Sequence, residues 1–401
     1  MDRRTFPIYL VIFLDMLGFG TIIPVIRDLT RELVQMSDLN EDHAEIYGGL
    51  LMASYSFAQF LASPIWGRLS DIYGRKRILM MTLAGNILAY GMWGISSNFG
   101  VFLLSRLLAG FSGGNLSVAQ SYLVDVTSAQ ERAKAMGLMG AIFGLGFILG
   151  PFLGAELSQW HLGLGGGNSY ASIGYFCMVL SLINFSWVVV SLRDMRKRQP
   201  SNRKLFHPSV LWKEVRSSKV SYLLGAYFFL QAGFVQLEAV LAWDLWERFA
   251  YDTRTTGHFF AALGIVMVLV QGGIYRVLVN RWDLWKITTR GMVGVIAAYL
   301  ILPLQTMSLA YFSVICLMAY GLGTVNPSLP TLISLQTRET EQGFQLGLMH
   351  SLGAITRIIA PILATGLFHA WSFAPFYLSA LFSALALMLF LRQRKNLNYG
   401  H

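Results

Sequence analysis

Charge is scarce in this chain. Asp, Glu, Lys and Arg together fill 13% of its 401 positions, about half the roughly 25% of an ordinary soluble domain. Cysteine is almost missing. Cys177 and Cys316 both fall inside apolar runs, which leaves a disulfide framework or a metal site without support. No nucleophile–base arrangement, metal-ligand spacing or phosphate-binding loop is found either, so neither catalysis nor direct use of ATP is expected. No cofactor is expected, and energy would have to come from an ion gradient. Long polar stretches are lacking too: the longest, from Arg193 to Lys219, is too short for a domain.

What fills the chain instead is apolar. Such residues make up 55% of it, and twelve apolar runs can be drawn, from 6–26 to 373–391. Runs of about 20 residues suit a hydrocarbon core roughly 30 Å thick. The expected fold is an all-α integral membrane protein with twelve transmembrane helices. The first run carries Asp15 and lacks a small-residue cleavage site, so it reads as a retained helix rather than a signal peptide.

The net charge of +10 is distributed unevenly. Arg27, Arg31, Arg248 and Arg254 lie on one side, and Arg106, Arg276 and Arg357 lie inside runs. Every other Lys and Arg falls in the ends and loops of the opposite side. That is the positive-inside bias, which places both termini in the cytoplasm. The basic segment is then a linker lying on the membrane surface, at about 1 kcal/mol per cation near anionic lipid. Nucleic acid is not an expected partner. Membrane lipid, protons and a small-molecule substrate are, and the chain is expected to be a monomer. Compact loops suggest a bacterial inner membrane.

Residues 67–77 read Gly-Arg-Leu-Ser-Asp-Ile-Tyr-Gly-Arg-Lys-Arg between two apolar runs. Too short for a domain and too polar for a bilayer, they must form a tight turn at the membrane surface. Gly67 and Gly74 would let two helix ends approach closely there. The run resembles, residue for residue, the signature between helices two and three of the major facilitator superfamily. In that signature Gly67, Asp71, Gly74 and Arg75 hold the most characteristic positions. The resemblance implies that Asp71 caps a helix of the other half, while Arg75 bridges to Asp125 and locks an outward-open state. A carboxylate near a helix N-terminus gains roughly 0.3–1 kcal/mol.

An internal repeat sets the architecture. Shifting the chain by 210 residues brings Pro151 onto Pro361, Thr127 onto Thr337 and Gly113 onto Gly323. The 67–77 turn has a worn counterpart at Arg276 to Lys286, where Asn280 replaces Asp71 and Asp283 replaces Gly74. Two pseudo-symmetric six-helix bundles follow, 1–195 and 220–401, joined by a cytoplasmic linker at 196–219. Repeats of this kind place a substrate site between the halves and work by alternating access. Arg106 falls on Cys316 and Phe147 on Arg357. The buried cations are therefore not duplicated, and the two halves have different jobs.

Span five carries Gly146, Gly150, Pro151 and Gly154. Glycines four apart make a smooth stripe on one helix face, and Pro151 removes a backbone donor. The pattern resembles the mark of antiporters in the superfamily; ordinary close packing would also account for it. Arg106 lies about 9 Å along span four at 1.5 Å per residue, a depth where a charge is usually paired. Asp15 of span one is the natural partner. Leu14 to Pro24 resembles the first span of the tetracycline-efflux type of drug:proton antiporters, and residues 125–132 and span five look similar to that group. A carboxyl group held between apolar surroundings, which disfavour its charge, and a cation, which favours it, can take up and release a proton as its exposure alternates. A static ion pair fixing spans one and four is the plainer alternative.

The candidate substrate cavity draws on Asn115 and, from the second half, Gln231, Glu238, Asn326, His350 and Arg357. Glu238 and Arg357 either pair with each other or bind a charged group of the substrate. The resulting reading is a proton-coupled antiporter exporting a small organic compound. A symporter or facilitator taking up a small, anionic metabolite is the alternative, and a non-transporting membrane receptor stands third.

Overall fold

The structure is a computed structural model that describes residues 6–127, 129–160, 167–192, 215, 218, 220–337 and 342–398. The expected linker at 196–219 lies almost wholly outside the described residues. Helix dominates, and no strand occurs among the described residues.

Two compact units form. One comprises Met1–Leu205 together with Tyr251–Ala261, and the other Phe206–Ala250 with Ala262–His401. The linear division expected from the repeat is thus crossed by one short segment, 251–261, which packs with the first unit.

In the first unit the helices are α1 (Phe6–Gly20), α2 (Ile26–Gln35), α3 (Ala44–Tyr73), α4 (Arg75–Ile95), α5 (Phe99–Gly113), α6 (Leu116–Val126), α7 (Ala129–Leu157) and α8 (Ala171–Ser191). Two boundaries have a local cause. Pro24 lies in the turn that ends α1, where the Thr21 hydroxyl donates to the Gly18 carbonyl at 2.9 Å; proline cannot supply the N–H that a continuing helix needs. The Asn98 side chain accepts from the Val101 N–H at 2.9 Å and caps α5. α2 turns Leu29, Leu33 and Val34 inward, while Asp28 and Glu32 stay nearer the surface. α1 packs on α7, α3 on α5, and α4 on both α5 and α8.

The second unit begins with α9 (Ser221–Phe249). There follow α10 (Thr253–Leu269), a π-helical turn (Val270–Ile274), α11 (Tyr275–Arg281), α12 (Leu284–Ile301), α13 (Ser308–Leu335), α14 (Gln342–Ala370) and α15 (Ala374–Asn398). The first residues of α10 belong to the other unit. α9 packs on α14 and α15, and α12 on α13 and α15. These pairings repeat α1 on α7, α4 on α5 and α4 on α8, so the internal repeat is visible in packing as well as in sequence.

Nine described helices are long and apolar enough to cross a membrane. Two further apolar helices among the described residues, Phe6–Gly20 and Ile148–Leu157, are shorter. α3, although 30 residues long, is not among the nine. α3 is diluted by its serines and glycines and by Gln59, Arg68 and Asp71.

Candidate functional site

Asp15 sits in α1 with 4% of its surface exposed. One carboxyl oxygen accepts a hydrogen bond from Asn86 Nδ2 of α4 at 3.1 Å, and the other has no partner. Asn115, at the break between α5 and α6, approaches the same group without completing a hydrogen bond of its own. Arg106 is 2% exposed. Its guanidinium lies over the Tyr55 ring at 5.1 Å and the Trp93 ring at 5.4 Å, an arrangement that partly offsets the cost of a buried cation.

The expected Asp15–Arg106 ion pair is not formed. Tyr90 interacts electrostatically with both groups. The physical reason is the position of α4, which carries Asn86, Tyr90 and Trp93 on one face and brings them between α1 and α5. Asn86, Tyr90 and Tyr55 escape the sequence reading. The spacing 86, 90, 93 within an apolar helix is the signal that would have found them. Asn115, expected in a substrate cavity, lies beside Asp15.

The glycines of α7 face α1. A Cβ on Gly146 would come within 2.7 Å of the Phe13 carbonyl oxygen, and one on Gly150 within 2.8 Å of Gly20 Cα. On Gly154 it would collide with the Thr21 carbonyl. The stripe therefore holds the helix bearing Asp15 backbone to backbone against α7. Pro151 lies in the same stretch, its carbonyl oxygen turned to Gly257 of α10.

At the turn between α3 and α4, Arg75 is nearly buried and bonds three ways. It meets Asp71 Oδ1 at 2.5 Å and Asp125 Oδ2 at 3.3 Å, and donates to the Ser70 hydroxyl. Arg75 thus brings Asp71 and Asp125 together. Gly74 has φ 98° and ψ 145°, backbone that only glycine adopts readily. Gly67 differs: a Cβ there would meet only Ser117 Oγ, at 3.6 Å. The close approach expected at Gly67 is absent, because the helix facing it there presents only the small Ser117.

At the far end of α7, Glu156 joins Arg254 at 3.1 Å and His258 at 2.6 Å. Phe152 stacks on His258 with ring centres 5.8 Å apart, and Thr253 donates to Asp28 at 2.5 Å. These bonds tie 251–261 to the first unit.

In the second unit, Asp244 accepts from Arg248 Nε at 2.7 Å and from the Tyr311 hydroxyl at 2.6 Å. Arg248 also donates to the Pro303 carbonyl at 2.8 Å, so this group pins the ends of α9, α12 and α13. Glu238 is buried on α9 with Oε1 unbonded, and Gln236 is buried with its amide unpartnered. Arg357 is half-buried on α14 and interacts electrostatically with Glu238, His350 and Tyr227. No Glu238–Arg357 ion pair forms: Oε1 of Glu238 stays unpartnered. Gln231 is half-buried, and Asn326 and His350 are exposed.

Comparison with known proteins agrees with this helical architecture. The Major Facilitator Superfamily profile matches residues 8–361. The class E tetracycline resistance protein of Escherichia coli is 31% identical over 379 residues, covering 92% of this chain and 89% of its own. The class C protein, also of Escherichia coli, is 28% identical over 361 residues, with coverages of 89% and 87%. Among solved structures, that of the human organic anion transporter MFSD10 (TETRAN) aligns with a TM-score of 0.74 at 23% identity. It covers 97% of this chain and 99% of that one.

Proposed function

Because the chain belongs to the Major Facilitator Superfamily, and is therefore a multi-pass membrane transporter, we propose that it exchanges protons for a small organic compound, which it exports. Asp15 is the proton carrier. The observation that carries this reading is the state of its carboxyl group: deep in a helix of the spanning region, with one oxygen unbonded and no cation paired to it. Such a group is free to change protonation when its surroundings change, whereas a static ion pair would resist that. Tyr90 relays the change to Arg106. The α1–α7 glycine contact makes the Asp15 helix and α7 move as one body.

The Arg75–Asp71–Asp125 cluster acts as a latch on the cytoplasmic side, where the positive-inside bias also puts both termini. Tetracycline-resistance relatives favour efflux over uptake and an amphiphilic, ring-bearing substrate. A bacterial inner membrane is the site of action.

The test is proton movement in proteoliposomes holding an imposed pH gradient, with tetracycline, other amphiphilic drugs and small organic anions added in turn. A compound-dependent collapse of the gradient that is at least tenfold slower in Asp15→Asn supports the exchange. Equal collapse in Asp15→Asn removes Asp15 as carrier. Compound movement in the same direction as the protons replaces exchange by symport.

A further inference from the structure

The polar residues of the second unit are not scattered. On α9, Tyr227, Gln231, Phe234 and Glu238 recur at helical spacing and share one face; on α14, His350, Ala354 and Arg357 do the same. The two helices pack against each other. Gln231 and Arg357 are half-buried and His350 is exposed, although both helices are long and apolar enough to cross a membrane. An arginine set in hydrocarbon at mid-membrane costs about 2.5 kcal/mol or more, so this seam meets water rather than lipid.

Arg357 is the centre of that seam. It interacts electrostatically with Glu238, His350 and Tyr227, yet no described residue forms a hydrogen bond or an ion pair with it. A guanidinium carries five donors in a planar fork that matches a carboxylate bidentately. Here the fork is open on a wetted face. The nearby carboxylate, Glu238, is more deeply buried, at 6% exposed, and does not occupy it. Arg357 is the more accessible of the two.

We propose that Arg357 receives an acidic group, a carboxylate or an enolate, of the transported molecule, with Glu238 as the nearby like charge that opposes its entry. The substrate class is then an amphiphilic organic anion. The inference rests on the transporter reading and narrows it; it does not require Asp15 to carry the proton.

Equilibrium binding to the purified full chain in detergent tests it without any gradient. The probes are fluorescein, an anion, and rhodamine 123, a cation on the same ring skeleton. The native chain is expected to bind fluorescein at least tenfold tighter than rhodamine 123. Arg357→Gln should abolish that preference and Arg357→Lys should keep part of it, since a point charge replaces the fork. Glu238→Gln should tighten fluorescein binding by removing a negative charge that repels the anion. Absence of an anion preference in the native chain, or its survival in Arg357→Gln, overturns the proposal. Weaker fluorescein binding in Glu238→Gln overturns the role of that carboxylate. A chain that selects fluorescein through Arg357 yet fails the gradient assay would lose the exchange reading and keep this one.

Discussion

Two glycines of the same surface turn should respond to alanine in opposite directions. Gly74 has φ 98° and ψ 145° between α3 and α4, a conformation that costs a residue with a Cβ about 1–3 kcal/mol. Gly67 lies in the interior of α3, where its Cβ would find only Ser117 Oγ at 3.6 Å, ordinary contact. Alanine there gains about 0.5–1 kcal/mol through its lower backbone entropy. Gly74→Ala and Gly67→Ala should therefore differ in stability by about 1.5–4 kcal/mol. At about 2–4 °C per kcal/mol for a unit of this size, their melting temperatures should be about 3–16 °C apart. Thermal unfolding in detergent, followed by tryptophan fluorescence, measures this directly. If Gly67→Ala melts as low as Gly74→Ala, the reasoning fails. A stable Gly67→Ala that no longer transports would mean that the close approach at Gly67 belongs to another step of the cycle.

Other outcomes follow from single contacts. A Cβ on Gly18 would collide with the Tyr90 hydroxyl, so Gly18→Ala should lower the melting temperature and Tyr90→Phe should recover part of the loss. A double-mutant cycle by thermal unfolding checks this, and strict additivity would refute the contact. Asp244→Asn leaves Arg248 without its buried carboxylate and should cost about 3–5 kcal/mol. The same melting assay should register a loss far larger than that of Asp252→Asn at the exposed start of α10.

Much of the architecture could be read from the chain because bilayer thickness acts on each apolar run separately. Packing then follows the repeat, as α9 on α14 follows α1 on α7. Gly74 was legible for a similar reason: one residue's dihedral angles decide it. Asp15 and Arg106 were not, since run boundaries locate depth along a helix but not the helix that comes between. Asn86 and Tyr90 of α4 decide that, and only tertiary placement brings them to Asp15. Gly67 likewise depends on what faces it. Glu238 and Arg357 were both singled out in the sequence, but contact between them depends on side-chain directions that spacing cannot supply.

The short segment 251–261 has a bearing on how such a chain can be cut or inherited. Its bonds through Arg254, His258 and Thr253 complete a body whose other residues all precede 206. A fragment ending at the midpoint would leave Glu156 and Asp28 without these partners. Its outer end would stay unfinished until a second fragment lent the missing piece. If the ancestor was a single six-helix unit, one copy would have had to lend this piece to the other. Fusion of the genes would then have made permanent a loan that began between separate molecules.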